Sequence, residues 1–180
     1  EKRMKLKEEM DNLTHEKILK QGGKLYPDVK LVLETLKKKY KLAIVSNCGD
    51  GHIESFIKYY HFENIFDDYI AASKYEISKG DAIKEVIRRN NITNAIFVGD
   101  TEKDYDAAKE AKIPFIYAKY GFGKIADDYI YSIDNLKELL IINLIKKTIK
   151  NYPFKHIILI IYWRRINERN IINAPWSNNR

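Results

Sequence analysis

Short apolar runs recur along this chain and stop abruptly at small or polar residues. "LAIV" runs into Ser46-Asn47, "AIFV" into Gly99-Asp100, and "IPFIYA" into a lysine. Between them lie stretches with the three-to-four-residue spacing of helices. Apolar runs of strand length that alternate with helical segments point to an α/β fold with a parallel sheet. The expected order starts with a charged amphipathic helix to about Gln21, stopped by Gly22-Gly23 and Pro27. Helices follow over "VKLVLETLKKKY", with Val29, Leu33 and Leu36 on one face, over "GHIESFIKYYHF", and over "SKGDAIKEVIRRNN", with Ile83, Val86 and Ile87 inward. Two more cover "KDYDAAKEAK" and "SIDNLKELL", the last with Asp134 near its start. Strands are expected in "KLAIVSN", "FDDYIAAS", "NAIFVGD" and "IPFIYA".

With 180 residues, 45% of them hydrophobic, the chain has material for one core of ordinary size with appendages. One cysteine, Cys48, excludes an intramolecular disulfide, and no secretory pattern opens the sequence, so a cytoplasmic setting is expected. The longest apolar stretch, "HIILIIYW", is far below the roughly 20 residues that span a bilayer, so no membrane span is expected. The net charge of +7 is confined to one end. Residues 141–180 hold eight basic residues and one acidic one, which leaves the first 140 residues neutral. The alternation of elements also stops near Leu140, and both tryptophans lie beyond it. That segment reads as an extension outside the domain's own pattern: a partner-binding segment, a nucleic-acid or membrane-surface contact, or sequence not selected to fold with the domain. The sharp change in composition favours the last, and nucleic acid is not expected as a partner.

Ligands of parallel α/β sheets gather beyond the carboxyl ends of the strands. Two such ends carry polar chemistry here, Ser46-Asn47 and Gly99-Asp100. Gly99 would let the backbone approach a ligand closely. Asp104 would lie one helical turn from Asp100, about 5 to 6 Å away. Two carboxylates in one cleft repel each other unless a cation holds them, and Mg²⁺ typically takes one or two protein carboxylates with waters and a substrate phosphate. Lys79, placed just before a helix, adds a point charge for phosphate oxygens, and Lys74 is a nearby competitor for that role. A hydroxyl at Ser46, a lysine and metal-binding acids together describe a phosphoryl-transfer site. Asn47 would contact the substrate or satisfy the turn.

"IVSN", "SKGDAI" and "VGDTEKDYDAAKEAKIPFI" resemble, in order and spacing, the second, third and fourth motifs of the haloacid dehalogenase-like hydrolases, and the subgroup resembled is that of the phosphoglycolate phosphatases. The resemblance covers about residues 25–140, including "YGFG" and "DNLKELL". It implies a three-layer, Rossmann-like core with a parallel sheet, hydrolysis of a small phosphorylated metabolite, and Mg²⁺ as cofactor. It also implies that Asp100 coordinates the metal and Asp104 supports that site, that Ser46 holds the phosphoryl group, and that Lys79 neutralises its charge and that of the nucleophile. Residues 1–24 would be the end of a helical cap, 25–140 the core, and 141–180 a basic extension.

One motif of the family is missing. Its members attack phosphate with an aspartate in an apolar strand followed by DxDGT, and nothing here matches. Asp11 follows a charged helix, and Asp104-Tyr105-Asp106 lies in the metal-site region. The expectation is a phosphatase fragment whose nucleophile strand lies upstream of Glu1, with a core short of its first strand. The competing reading is a non-catalytic relative or receiver-like domain that binds Mg²⁺ or phosphate without turnover. A receiver would need an acceptor aspartate at a strand end and acids after its first strand, and neither is visible.

Overall fold

The computed structural model describes residues 2–22, 25–126, 131–141 and 158–161. Helix α1 spans Lys2–Gln21 and ends where Gly22 takes φ +57°, a left-handed turn natural to glycine. Then follow α2 (Val29–Lys37), β1 (Leu42–Ser46), α3 (His52–Tyr60), β2 (Asp68–Ala71), α4 (Lys79–Arg89), β3 (Ala95–Gly99), α5 (Glu102–Glu110) and β4 (Phe115–Ala118). Short 3-10 turns lie at Ala72–Lys74 and Leu136–Ile141, with β5 (Tyr131–Ile133) and β6 (Ile158–Ile161) completing the described elements.

The strands form one sheet in the order β2-β1-β6-β3-β4-β5, with every pair parallel. Strands β1, β3 and β4 are buried along their whole length, as a sheet covered on both faces demands. Alternate residues divide between two cores. Leu42, Ile44, Ile96, Val98 and Ile116 face α2, α3 and the Leu136–Ile141 turn, while Ala43, Val45, Ala95, Phe97 and Phe115 face α4 and α5. This is the three-layer α/β architecture expected from the sequence.

Helix α1 is amphipathic in an unusual sense. Ile18 enters the first core, but Leu6, Met10 and Leu13 are exposed. The helix is held instead by polar contacts with α3 and the loop before it. His52 Nε2 donates to the Asp11 carbonyl at 3.3 Å, and His15 Nδ1 lies 2.7 Å from Ser55 Oγ. Among the described residues no helix is long and apolar enough to cross a membrane.

Two expectations need correction. The stretch "SIDNLKELL" is not one helix: Ser132 and Ile133 pair with Tyr117 and Ala118 as strand, and only then does a 3-10 turn begin. Glu138 reaches back to accept from the amides of Asp134 and Asn135, at 3.1 and 3.2 Å, and so closes a tight turn in place of a longer helix. Second, the extension does not lie wholly outside the core, because Ile158–Ile161 runs between β1 and β3 at the centre of the sheet. Its pairing fills the place where a core without its first strand would show two open edges. Residues 142–157 and 162–180, with the eight basic residues and both tryptophans, lie outside the described residues.

In the second core Phe97 is fully buried and meets Phe115 edge-on at 6.0 Å between ring centres. Phe97→Ala is expected to remove about 3 to 5 kcal/mol of stability, read as a lower urea midpoint with an unchanged slope. A loss below about 1 kcal/mol would mean that this face is not packed as described.

Candidate active site

Three strand or helix ends converge at the carboxyl edge of the sheet. Strand β1 delivers Ser46, which is fully buried, and its Oγ accepts from the Cys48 amide at 3.1 Å. Asn47 beyond it is exposed, and its carbonyl accepts from Ser73 Oγ at 2.8 Å, so the turn is fastened to the segment after β2. Burial pushes the Cys48 thiol up from its ordinary range, outweighing the opposite pull of Ser46 and of the Lys79 charge.

Helix α4 starts from a capped end. Ser78 Oγ accepts from the Asp81 amide at 2.9 Å, which sets Lys79 as the first helical residue. Lys79 is only 6% exposed, and its Nζ donates to Asp104 Oδ1 at 2.6 Å. Lys74, its competitor in the sequence, is a surface residue paired with Asp50 at 2.8 Å. The structure therefore separates the two lysines by burial and partner.

Strand β3 ends at Gly99-Asp100, and Thr101 caps α5. Its side chain accepts from the Asp104 amide, and the Asp104 carboxylate returns to the Thr101 amide at 3.1 Å, a reciprocal capping box. Asp104 Oδ2 also accepts from Thr101 Oγ1 at 2.7 Å and from the Asp100 amide at 3.3 Å. With Oδ1 on Lys79, both oxygens of this fully buried carboxylate are committed to the protein. Glu102 and Asp106 on the same helix are exposed.

The two aspartates thus face different ways. Asp104 anchors the strand end from within, whereas Asp100 is half-buried and presents its carboxylate at the edge. Asp100 Oδ2 accepts from the Phe122 amide at 2.8 Å, and Oδ1 takes no hydrogen bond among the described residues. Gly99 serves packing: a Cβ there would stand 2.5 Å from the Cβ of Asp104. The close approach foreseen for Gly99 belongs to protein rather than to ligand.

The loop "YGFG" is a part of the site that sequence reasoning placed in the domain without giving it a role. A Cβ on Gly123 would lie 2.1 Å from the Asp100 carbonyl oxygen, so only glycine fits that approach. Tyr117 fixes the same residue by donating its hydroxyl to the Gly123 carbonyl at 2.8 Å. Tyr120 meets Tyr26 edge-on at 4.9 Å, and its phenol is held above the usual range by burial first, then by the charges of Tyr26 and Asp100. The signal for Thr101 was present in "TEKD", a capping pattern with an acid three residues on. Nothing in the local sequence announces a Phe122 amide aimed at Asp100.

Asp11 lies on α1, not at a strand end, with its carboxylate against Gly49 in the loop after β1. His52 and His15 hold this helix over that loop. Among the described residues no group of three or more His, Cys, Asp or Glu is arranged to hold a metal by itself. Asp100, with one oxygen uncommitted, fits the sparse carboxylate set of a Mg²⁺ site, while Asp104 would have to give up an existing bond to join it.

The family model described as "Haloacid dehalogenase-like hydrolase" matches residues 1–118 of this chain. The chain belongs to the haloacid dehalogenase-like hydrolase family. It is 28% identical over 105 residues to a phosphoglycolate phosphatase of Haemophilus influenzae, covering 56% of this chain and 47% of that protein. The chain thus spans about half the length of the curated relatives it matches. Its fold is similar to that of a haloacid dehalogenase-like hydrolase from Streptococcus pneumoniae, with TM-score 0.61 and 26% identity over 66% of this chain and 59% of that one. A predicted phosphoglycolate phosphatase from Haemophilus somnus gives TM-score 0.60 and 25% identity over 67% and 57% of the two chains.

Removing one partner of the Lys79–Asp104 contact leaves the other charge buried. Lys79→Met is expected to lower stability by about 3 to 5 kcal/mol, and Lys79→Met/Asp104→Asn to recover part of that loss in a denaturant cycle. A double variant no more stable than Lys79→Met would show that the pair does not act as a unit. Cys48, held as the thiol, is expected to react with iodoacetamide at pH 8 several-fold more slowly than free glutathione, followed by mass.

Proposed function

We propose that this chain carries the metal and phosphate half of a Mg²⁺-dependent phosphate monoester hydrolase acting on a small phosphorylated metabolite, with phosphoglycolate as the model substrate. The observation that carries the reading is the contrast between the two aspartates. Asp104 is spent on Lys79 and the α5 cap, which fixes Asp100 at the strand end with one oxygen uncommitted.

In this reading Asp100 would hold Mg²⁺, which when bound neutralises phosphate charge. Asp104 supports that site indirectly, by orienting Lys79 and the Asp100 backbone. Lys79 carries positive charge toward the phosphoryl group and toward the attacking carboxylate. Ser46 Oγ, while still accepting from the Cys48 amide, would donate a hydrogen bond to a phosphoryl oxygen, and the backbone after it, with Asn47, would orient that group. The nucleophile is an aspartate on a strand that this sequence does not contain. Its carboxylate oxygen would bond to phosphorus as the ester P–O bond breaks, the leaving oxygen taking its proton from the second aspartate of the same DxDGT motif, which would then take a proton from the water that hydrolyses the aspartyl phosphate. The phosphoglycolate phosphatases among the relatives support the substrate class.

Two assays test this. Calorimetric titration with Mg²⁺ is expected to give binding heat that Asp100→Asn abolishes and Asp106→Asn leaves unchanged. In the same buffer the 180 residues alone are expected to leave p-nitrophenyl phosphate at its background rate. Mg²⁺-dependent turnover that disappears in Asp100→Asn would overturn the placement of the nucleophile outside this sequence. Absence of any Mg²⁺ heat would overturn the metal role of Asp100.

A further inference from the structure

We propose that Tyr120 is a positioning residue of the Asp100 metal site, its hydroxyl holding the hydration shell of the cation by a hydrogen bond. The inference rests on the metal role proposed for Asp100 and adds to it a residue from the loop after β4.

That loop delivers Tyr120 to the end of β3. After β4 the chain reverses through a turn closed by the Gly121 amide on the Ala118 carbonyl at 3.0 Å, with Tyr120 at its corner. The residues that follow lie directly on Asp100. A Cβ on Gly121 would come within 2.2 Å of the Asp100 Cβ, and the Phe122 amide donates to Asp100 Oδ2 at 2.8 Å. Tyr120 therefore immediately precedes a stretch of main chain that grips the metal-binding carboxylate.

The ring is fixed as well. It is half-buried at the margin of the first core and meets Tyr26 edge-on, with ring centres 4.9 Å apart and planes at 72°. Tyr26 belongs to the link between α1 and α2, so the ring is held by two separate segments and its hydroxyl has little freedom to turn away. Helix α4, which carries Lys79, packs on the opposite face of the sheet. Tyr120 and Lys79 thus approach the site from different layers.

Two polar groups at this end of the site are unspent. Asp100 Oδ1 and the Tyr120 hydroxyl each make no hydrogen bond among the described residues. They are close enough for the Asp100 charge to act on the phenol, which burial first, then Tyr26 and Asp100, hold above its usual range as a neutral hydroxyl. A phenol in contact with a carboxylate donates to it. Here the two share one end of the site without bonding, an arrangement suited to a group between them. Mg²⁺ takes few protein ligands and keeps several waters, and the outer partners of a metal site orient what the metal holds. A phenol oxygen accepts a hydrogen bond from such a water without bringing a further charge beside Asp100.

Calorimetric titration of the full 180-residue chain with Mg²⁺ should give Tyr120→Phe a dissociation constant about tenfold above that of the unaltered chain, with the same thermal midpoint. Tyr105→Phe, whose ring packs on Phe115 in the second core, should bind as the unaltered chain does. Mg²⁺ should also perturb the near-ultraviolet absorbance of tyrosine in the unaltered chain and leave that of Tyr120→Phe unchanged, a signature that a merely structural role for the ring would not give. Equal affinities of Tyr120→Phe and the unaltered chain overturn the proposal and leave the metal role of Asp100 standing. A tyrosine signal that survives in Tyr120→Phe overturns it too, since another phenol then makes the contact. Absence of binding heat in the unaltered chain overturns the metal reading, and the role of Tyr120 with it. Should Tyr120→Phe not fold, the spectrum of the unaltered chain decides: a tyrosine change on adding Mg²⁺ that Asp100→Asn abolishes upholds the proposal, and no change overturns it.

Discussion

The contact between Lys79 and Asp104 ties together everything at the carboxyl edge of this sheet. It joins the first turn of α4 to the first turn of α5, and both helices pack on the same face of the sheet. A buried ion pair contributes little net stability relative to an apolar pair of the same size, because both charges lose water. What it contributes here is position. Asp104 holds Lys79 with one oxygen and the Thr101 cap and Asp100 amide with the other, so the lysine, the cap and the strand end move as one body. Groups held in this way need no rearrangement when charge develops beside them.

Asp100 is fixed from the opposite side by backbone. The loop after β4 folds back so that the Phe122 amide meets its carboxylate and Gly123 passes directly over its carbonyl. Tyr117, anchored in β4, holds that loop through the Gly123 carbonyl. One aspartate is therefore gripped by side chains from below and its neighbour by main chain from above. That division explains why the sequence needs two acids a helical turn apart, only one of which is offered outward. Repulsion between them is avoided by giving Asp104 its own cation within the protein.

Local pattern revealed the helices and strands where periodicity and burial agree. The runs at β1, β3 and β4 are apolar because both faces of each strand are covered, and that requirement leaves its mark on consecutive residues. The positions of Ser46, Lys79, Asp100 and Asp104 at the ends of elements were legible, because each is a polar residue that interrupts an apolar or periodic run. Their separate duties were not legible. Whether Asp104 binds a metal or a lysine depends on how α4 and α5 meet, a contact across 25 residues of sequence that no local pattern encodes. Strand β5 was missed because "YSI" is too short to show a period, and pairing with β4 alone makes it a strand.

Strand β6 shows the same limit more sharply. Its four residues are as apolar and β-branched as those of β1 or β3, yet the surrounding composition, rich in Asn, Lys and Arg, reads as the end of a domain. A sheet does not respond to composition around a strand. It responds to two edges with matching spacing, and Ile158–Ile161 meets both, pairing in parallel with β1 and with β3. Sheet closure requires backbone hydrogen bonding on both sides of that position, which Ile158–Ile161 supplies by pairing with β1 and with β3.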